Sequence, residues 1–117
     1  MFKNVFLAAK GNVQGVMFRQ TILKVAKNLG LTAGATNCYY DPERVDISLQ
    51  GEENKLRLFF DKLKPGKELN SWGAKIDNFE YLDNGRRPLD HQINTNNFQD
   101  FNWRQDITFY VEQLNEL

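Results

Sequence analysis

The segment Gly11-Asn12-Val13-Gln14-Gly15-Val16-Met17-Phe18-Arg19 holds the residue types needed to grip an oxyanion. Glycines at 11 and 15 let the backbone curl until successive N–H groups face one concavity, and a helix starting near Phe18 sets its positive end on the rim. Arg19, in the first helical turn, adds a planar fork of donors suited to a phosphoryl group. The chemistry implied is the binding of an anion such as a phosphoryl group. Thr21 and Gln14 are placed to touch the same anion, though Gln14 serves equally to brace the loop. A Gly-x-x-x-Gly spacing by itself also describes an ordinary strand-to-helix turn with a surface arginine, so the spacing alone decides little.

The other reactive side chains point elsewhere. His91 is the only histidine and sits in a polar stretch without a Cys or His partner, so a surface imidazole is expected rather than a metal ligand or a triad base. Cys38 is the only cysteine; with no flanking His or Lys it is expected to be a small inert thiol. No metal is expected. Arg86-Arg87 reads as a solvated pair, and Phe98, Phe101 and Trp103 read as core or lid anchors rather than a base-stacking platform.

The loop must be carried by a strand that ends at Gly11 and a helix that begins at Phe18. Val5, Leu7 and Ala9 alternate with Asn4, Phe6 and Ala8, the period of a strand with one face on a core. Ile22, Val25, Ala26 and Leu29 recur at helical spacing, and Gly30 stands where a left-handed C-terminal residue belongs, predicting a helix over 18–29. Leu31 to Tyr39 and Val45 to Gln50 flank Tyr40-Asp41-Pro42-Glu43-Arg44, where Asp-Pro favours a type I turn, so a hairpin is expected. In its second arm Val45, Ile47 and Leu49 face inward, while Asp46, Ser48 and Gln50 make a wet face.

A second helix follows from Glu52, with Leu56, Phe59, Phe60 and Leu63 as its apolar stripe and Pro65-Gly66 as its stop. Trp72 to Leu82 reads as a fourth strand with a bulge at Asp77-Asn78. Ile107, Phe109 and Val111 alternate with Thr108 and Tyr110 as a last strand. The order βαββαβ plus a C-terminal strand is that of an α+β ferredoxin-like sandwich, an antiparallel sheet with two helices on one face. Residues 83–106 then form an atypically long insertion before the last strand, expected to have structure of its own and to lie across the sheet.

At 117 residues the chain is sized for a single domain, 1–117. Lys plus Arg and Asp plus Glu both count 15, so no net field gathers nucleic acid or an anionic membrane, and neither is expected as a partner. Lys3 and Lys10 interrupt the apolar N-terminus, which makes a poor signal peptide. A lone cysteine and the lack of an Asn-x-Ser/Thr sequon suit a reducing compartment. A cytoplasmic monomer is expected.

The wording of the loop goes further than its spacing. Gly11-x-Val13-Gln14-Gly15-Val16-x-Phe18-Arg19 resembles the acylphosphatase signature Gly-x-Val-Gln-Gly-Val-x-Phe-Arg at every specified position. The similarity continues through Ala26, Leu29-Gly30-Leu31, Asn37, Val45 to Leu49 with Gln50-Gly51, Phe59 and Leu63-Lys64, and covers about residues 3–82. It implies a ferredoxin-like fold and hydrolysis of a carboxyl-phosphate anhydride, a small-molecule acyl phosphate, without metal or cofactor. In that family the arginine closing the motif binds the phosphate and an asparagine on the second strand orients the attacking water; by motif position these are Arg19 and Asn37.

The implied chemistry suits the residues. An acyl phosphate expels a carboxylate whose conjugate acid has a pKa near ~4 to 5, so it leaves without a strong general acid. The Asn37 amide oxygen can accept from water and, being neutral, does not repel an anionic substrate. The chain departs from the family at Ala33-Gly34-Ala35, where Gly-Trp-Val is common, and the missing bulk is expected to be replaced by Trp72 or Trp103. The same residues fit a second reading, a non-catalytic acylphosphatase-like module that binds a phosphorylated metabolite or a protein partner.

Overall fold

The alternation around Val5 extends into a long strand, β1 (Phe2–Asn12), that leads straight into the glycine-bearing loop. The structure, a computed structural model, describes residues 1–83, 85–98 and 106–110. After the loop, α1 (Phe18–Asn28) buries Phe18, Ile22, Val25 and Ala26. Gly30, with a φ of 76°, then turns the chain, and the Leu31 N–H reaches the Ala26 carbonyl at 2.9 Å. The hairpin follows as β2 (Thr32–Asn37) and β3 (Arg44–Glu52). Between them the Arg44 N–H bonds the Asp41 carbonyl at 3.2 Å across Pro42-Glu43, as the Asp-Pro pair requires. Next come α2 (Glu53–Lys62) and β4 (Lys75–Tyr81). A 3₁₀ turn at Pro88–Asp90 and a short strand β5 (Ile93–Asn94) complete the described elements.

The sheet is antiparallel in the order β4-β1-β3-β2-β5. One face carries Leu7, Ala9, Ala33, Ala35, Val45, Ile47 and Leu49 into a single cluster with Phe18 and Ile22 of α1 and Leu56 and Phe59 of α2. Burying each large side chain there contributes about 1.5–3 kcal/mol. This is the ferredoxin-like α+β sandwich that the element order implies. The irregularity expected in β4 is present: Lys10 pairs with Asn78 and Gly11 with Ile76, which leaves Asp77 as the extra residue of a bulge. At Gly11, φ is 144° and a Cβ would press on the Asp77 nitrogen at 2.8 Å, so only glycine admits so close an approach of β4.

Three details differ from the sequence reading. The fifth strand comes from Ile93–Asn94, inside the segment taken as an insertion, and pairs with Gly34 and Ala35 of β2. Residues 106–110 instead touch the 69–71 segment through an isolated Asn70–Phe109 bridge, while Val111 lies outside the described residues. The sheet face opposite the helices is also less wet than expected at Ser48, which is 1% exposed, because residues 85–92 run across it as a strap. The missing bulk at Ala33-Gly34-Ala35 is replaced by that strap: a Cβ on Gly34 would collide with the Pro88 carbonyl and lie 2.8 Å from the His91 Cβ. Trp72 lies beside the glycine loop instead, and Trp103 and Phe101 fall outside the described residues. Phe98 is a core anchor, as expected.

Candidate functional site

The loop between β1 and α1 is built from left-handed residues. Gly15 has a φ of 76°, and Met17, the residue before the helix, has φ 58° and ψ 28°, the one non-glycine residue at positive φ among those described. A left-handed residue on either side of Val16 turns neighbouring N–H groups toward one side, the geometry of an anion nest. No side chain caps α1 and no acidic residue occupies its first turn, so nothing in the first turn neutralises its positive end. The strain at Met17, about 1–2 kcal/mol for an L-residue, is held by its carbonyl, which accepts from the Thr21 N–H at 3.1 Å and the Thr21 hydroxyl at 2.7 Å.

Beside this loop lies a hollow of about 230 Å³ bordered by Val13, Gly15, Met17, Arg19, Gln20 and Trp72. Of the other loop residues, Phe18 also borders it but is 1% exposed and chiefly core. Gly11 serves the β4 bulge, and Asn12 donates to the Gly73 carbonyl at 2.8 Å. Gln14 points away from the hollow and braces the loop: its Nε2 lies 3.0, 3.1 and 2.8 Å from the carbonyls of Cys38, Asp41 and Arg44. Val16 packs on the core, and its carbonyl is gripped by Asn70 Nδ2 at 2.9 Å.

Asn37 ends β2 on the same face as Ala33 and Ala35, the face that carries α1. It does not line the hollow; it joins Arg19 through a third residue. Gln92 Oε1 accepts from Arg19 Nη1 at 3.1 Å and from the Asn37 main-chain N–H at 3.1 Å. Partial burial lowers the pKa of the Arg19 guanidinium from its ordinary value. Asn37 Oδ1 is buried with no hydrogen-bond partner among the described residues, the one side-chain polar atom of which that is true. Buried acceptors are normally satisfied, so this oxygen stands out among the side chains of the fold.

Behind Gln92 the strap is seated on the sheet by polar groups. The Gln92 N–H donates to Thr36 Oγ1 at 3.0 Å, and Arg86 Nη1 reaches the same oxygen at 3.2 Å. His91 lies between Thr36 Oγ1, 2.9 Å from Nδ1, and Ser48 Oγ, 2.7 Å from Nε2. Ser48 also donates to the Arg86 carbonyl. His91 is therefore no surface imidazole; it is 7% exposed, and burial, followed by the nearby Arg86 charge, lowers its pKa to about 4.

Cys38 is buried. Two larger hollows, of about 470 and 440 Å³, lie along the strap and contain neither Arg19 nor Asn37. Among the described residues no cluster of His, Cys, Asp and Glu is arranged to hold a metal ion, and no helix is long and apolar enough to cross a membrane.

Gln92, Thr36 and Asn70 escaped the sequence reading, and His91 was read only as a surface group. Each acts through partners distant in the chain, and the one local hint was polar residues on an apolar-flanked strand, Thr36 and Ser48.

Comparison with known proteins identifies the family and the fold. A family model described as Acylphosphatase matches residues 5–99. An acylphosphatase of Lactobacillus gasseri is 41% identical over 63 residues, 53% of this chain and 66% of that protein, just under two thirds of its length. Among solved structures, an acylphosphatase from Coxiella burnetii superposes with a TM-score of 0.55 at 24% identity, over 69% of this chain and 79% of the other, a likeness of fold. The acylphosphatase from Bacillus subtilis superposes with a TM-score of 0.54 at 27% identity, over 70% and 83% of the two chains.

Proposed function

Because the chain belongs to the acylphosphatase family, we propose that it hydrolyses a carboxyl-phosphate anhydride to carboxylate and phosphate, with no metal or cofactor. The observation that carries this reading is the shared Gln92 Oε1, which accepts from Arg19 and from the Asn37 main-chain N–H, while the Asn37 side-chain Oδ1 is buried and unpartnered. In this reading the phosphoryl oxygens accept from the loop amides around Gly15 to Phe18 and from the free donors of Arg19. A water donates to Asn37 Oδ1, which aims its lone pair at phosphorus opposite the acyl oxygen. The new P–O bond forms as the old one breaks, and the carboxylate departs with the bonding pair. Asn37 cannot accept the water's proton as a base would, so that proton ends on the phosphate product. The strap, with Gln92, borders the acyl side. The substrate is a small acyl phosphate, and a cytoplasmic monomer fits the reading.

The test is turnover of benzoyl phosphate by chelator-treated protein. Hydrolysis is expected, with Arg19→Ala losing on the order of 10³-fold in rate, by analogy with transition-state arginines in phosphoryl transfer. Phosphate binding without turnover would support the non-catalytic module instead.

A further inference from the structure

The strap crosses the sheet and then delivers one side chain to the groups that matter for the reaction. Gln92 Oε1 accepts from Arg19 Nη1 and from the Asn37 N–H, both at 3.1 Å. Its own position is fixed from both sides. On one side the Gln92 N–H is held by Thr36 Oγ1 at 3.0 Å and the preceding His91 is locked between Thr36 and Ser48. On the other, Ile93 is fully buried and pairs with Ala35.

The backbone at Gln92 is thereby fixed, and its exposed carboxamide is the acceptor between a helix and a strand that have no other bond joining Arg19 to Asn37 among the described residues. Its chemistry also fits. A guanidinium has five donors, so one bond to Gln92 sets the plane of the fork and leaves the rest for an anion. A carboxylate in the same place would orient the fork equally well but would partly neutralise it and repel a phosphoryl group. The neutral amide orients without that cost.

We propose that Gln92 is a positioning residue for this site, whose carboxamide oxygen sets the Arg19 guanidinium toward the glycine loop and fixes the end of β2 that carries the Asn37 side chain. The inference rests on the acyl-phosphate reading for its kinetic consequences. Its structural content stands apart from it, because it concerns the orientation of Arg19.

Two readouts separate the two. The first is kinetic: benzoyl phosphate turnover and competitive inhibition by inorganic phosphate, for wild type, Gln92→Ala and Gln92→Glu. Gln92→Ala is expected to lower kcat/KM and raise the phosphate inhibition constant, each by about tenfold, the worth of one hydrogen bond to a charged group. Gln92→Glu keeps the acceptor but adds charge. It is expected to bind phosphate more weakly still at pH 7 and to recover as pH falls below the ordinary carboxyl range, since Arg19 holds the new carboxyl below its free value, a profile that a merely structural residue would not produce.

The second readout needs no activity: the ¹H–¹⁵N side-chain signal of Arg19, expected to shift and broaden in Gln92→Ala and to stay sharp in Gln92→Glu. If wild type fails to hydrolyse benzoyl phosphate while this pattern holds, the enzymatic reading falls and the positioning role stands. Wild-type kinetics together with an unchanged Arg19 signal in Gln92→Ala would overturn the positioning role.

Discussion

The hydroxyl of Thr36 lies 2.9 Å from Nδ1 of His91, and in that pair the threonine is the donor. Thr36 Oγ1 already accepts from Arg86 Nη1 and from the Gln92 N–H, which uses both of its lone pairs. Its proton is left for Nδ1, so His91 is neutral with its own proton on Nε2, donating to Ser48 Oγ. Ser48 in turn donates to the Arg86 carbonyl, and every group in the chain is satisfied. Protonating Nδ1 would set two donors against each other.

This arrangement makes stability depend on pH with a definite sign. His91 titrates at about 4 in the folded protein, against an ordinary 6.5, because burial and the Arg86 charge disfavour the cation while Asp46 and Asp90 only partly offset them. The unfolded chain therefore takes up the proton first. The contribution is fully present above pH 6.5 and is lost as pH falls toward 4, about 2–3 kcal/mol by pH 4.5. Urea unfolding at pH 7 and pH 4.5 measures the loss, and His91→Gln isolates it from the carboxylates: the variant should have a flatter pH profile than wild type. Equal slopes in the two proteins would refute the assignment.

Gly34 is the place where the strap touches the sheet most closely. A methyl group there would collide with the Pro88 carbonyl and stand 2.8 Å from the His91 Cβ, both parts of the strap rather than flexible side-chain ends. Gly34→Ala should therefore lift residues 88–91, destabilise the fold by about 1–3 kcal/mol, and loosen Gln92 from Arg19. Denaturant midpoints and the phosphate inhibition constant should both move; a variant as stable as wild type would mean that the strap does not sit against β2.

What was legible in the sequence was what is local in the chain. The loop from Gly11 to Arg19 declares itself because its glycines, its helix start and its arginine are contiguous. The alternation of Val45, Ile47 and Leu49 likewise fixes which face of β3 meets the helices. That 83–106 would lie across the sheet was legible; the contacts that seat the strap there were not. His91 looked solvent-exposed because its sequence neighbours are polar, yet its burial comes from Thr36 and Ser48, far away in the chain. The fifth strand was sought at 107–111, where alternation is visible, whereas Ile93–Asn94 is too short to display any period and is set by its pairing with Gly34 and Ala35. Asn37 could be assigned by resemblance, but its orphaned oxygen is a property of three-dimensional packing.

Asn70 offers a test of the loop without touching the anion site itself. It is fully buried; Nδ2 grips the Val16 carbonyl at 2.9 Å and Thr21 Oγ1 at 3.0 Å, while Oδ1 accepts from the N–H groups of Trp72 and Ala74. Asn70→Ala strands several of these partners and should cost about 2–4 kcal/mol. Because Val16 separates the two left-handed residues of the nest, phosphate should also bind more weakly at temperatures where the variant remains folded. Weakened stability with unchanged phosphate inhibition would confine Asn70 to the fold.

Asn37 separates orientation from binding and from base catalysis. If its oxygen only aims a water, Asn37→Ala should lower kcat on the order of 10²-fold, the scale of misplacing a reactant by about an ångström, while inorganic phosphate inhibits almost as before. Asn37→Asp distinguishes the remaining possibility. A carboxylate there is a far better base than an amide, but it faces the same anion that Arg19 attracts, so its charge should weaken phosphate binding near neutrality and release it again toward pH ~4. Should Asn37→Asp instead turn over faster than wild type at pH 7, proton abstraction rather than water placement would limit the reaction, and the neutral carboxamide would have to be explained by something other than orientation.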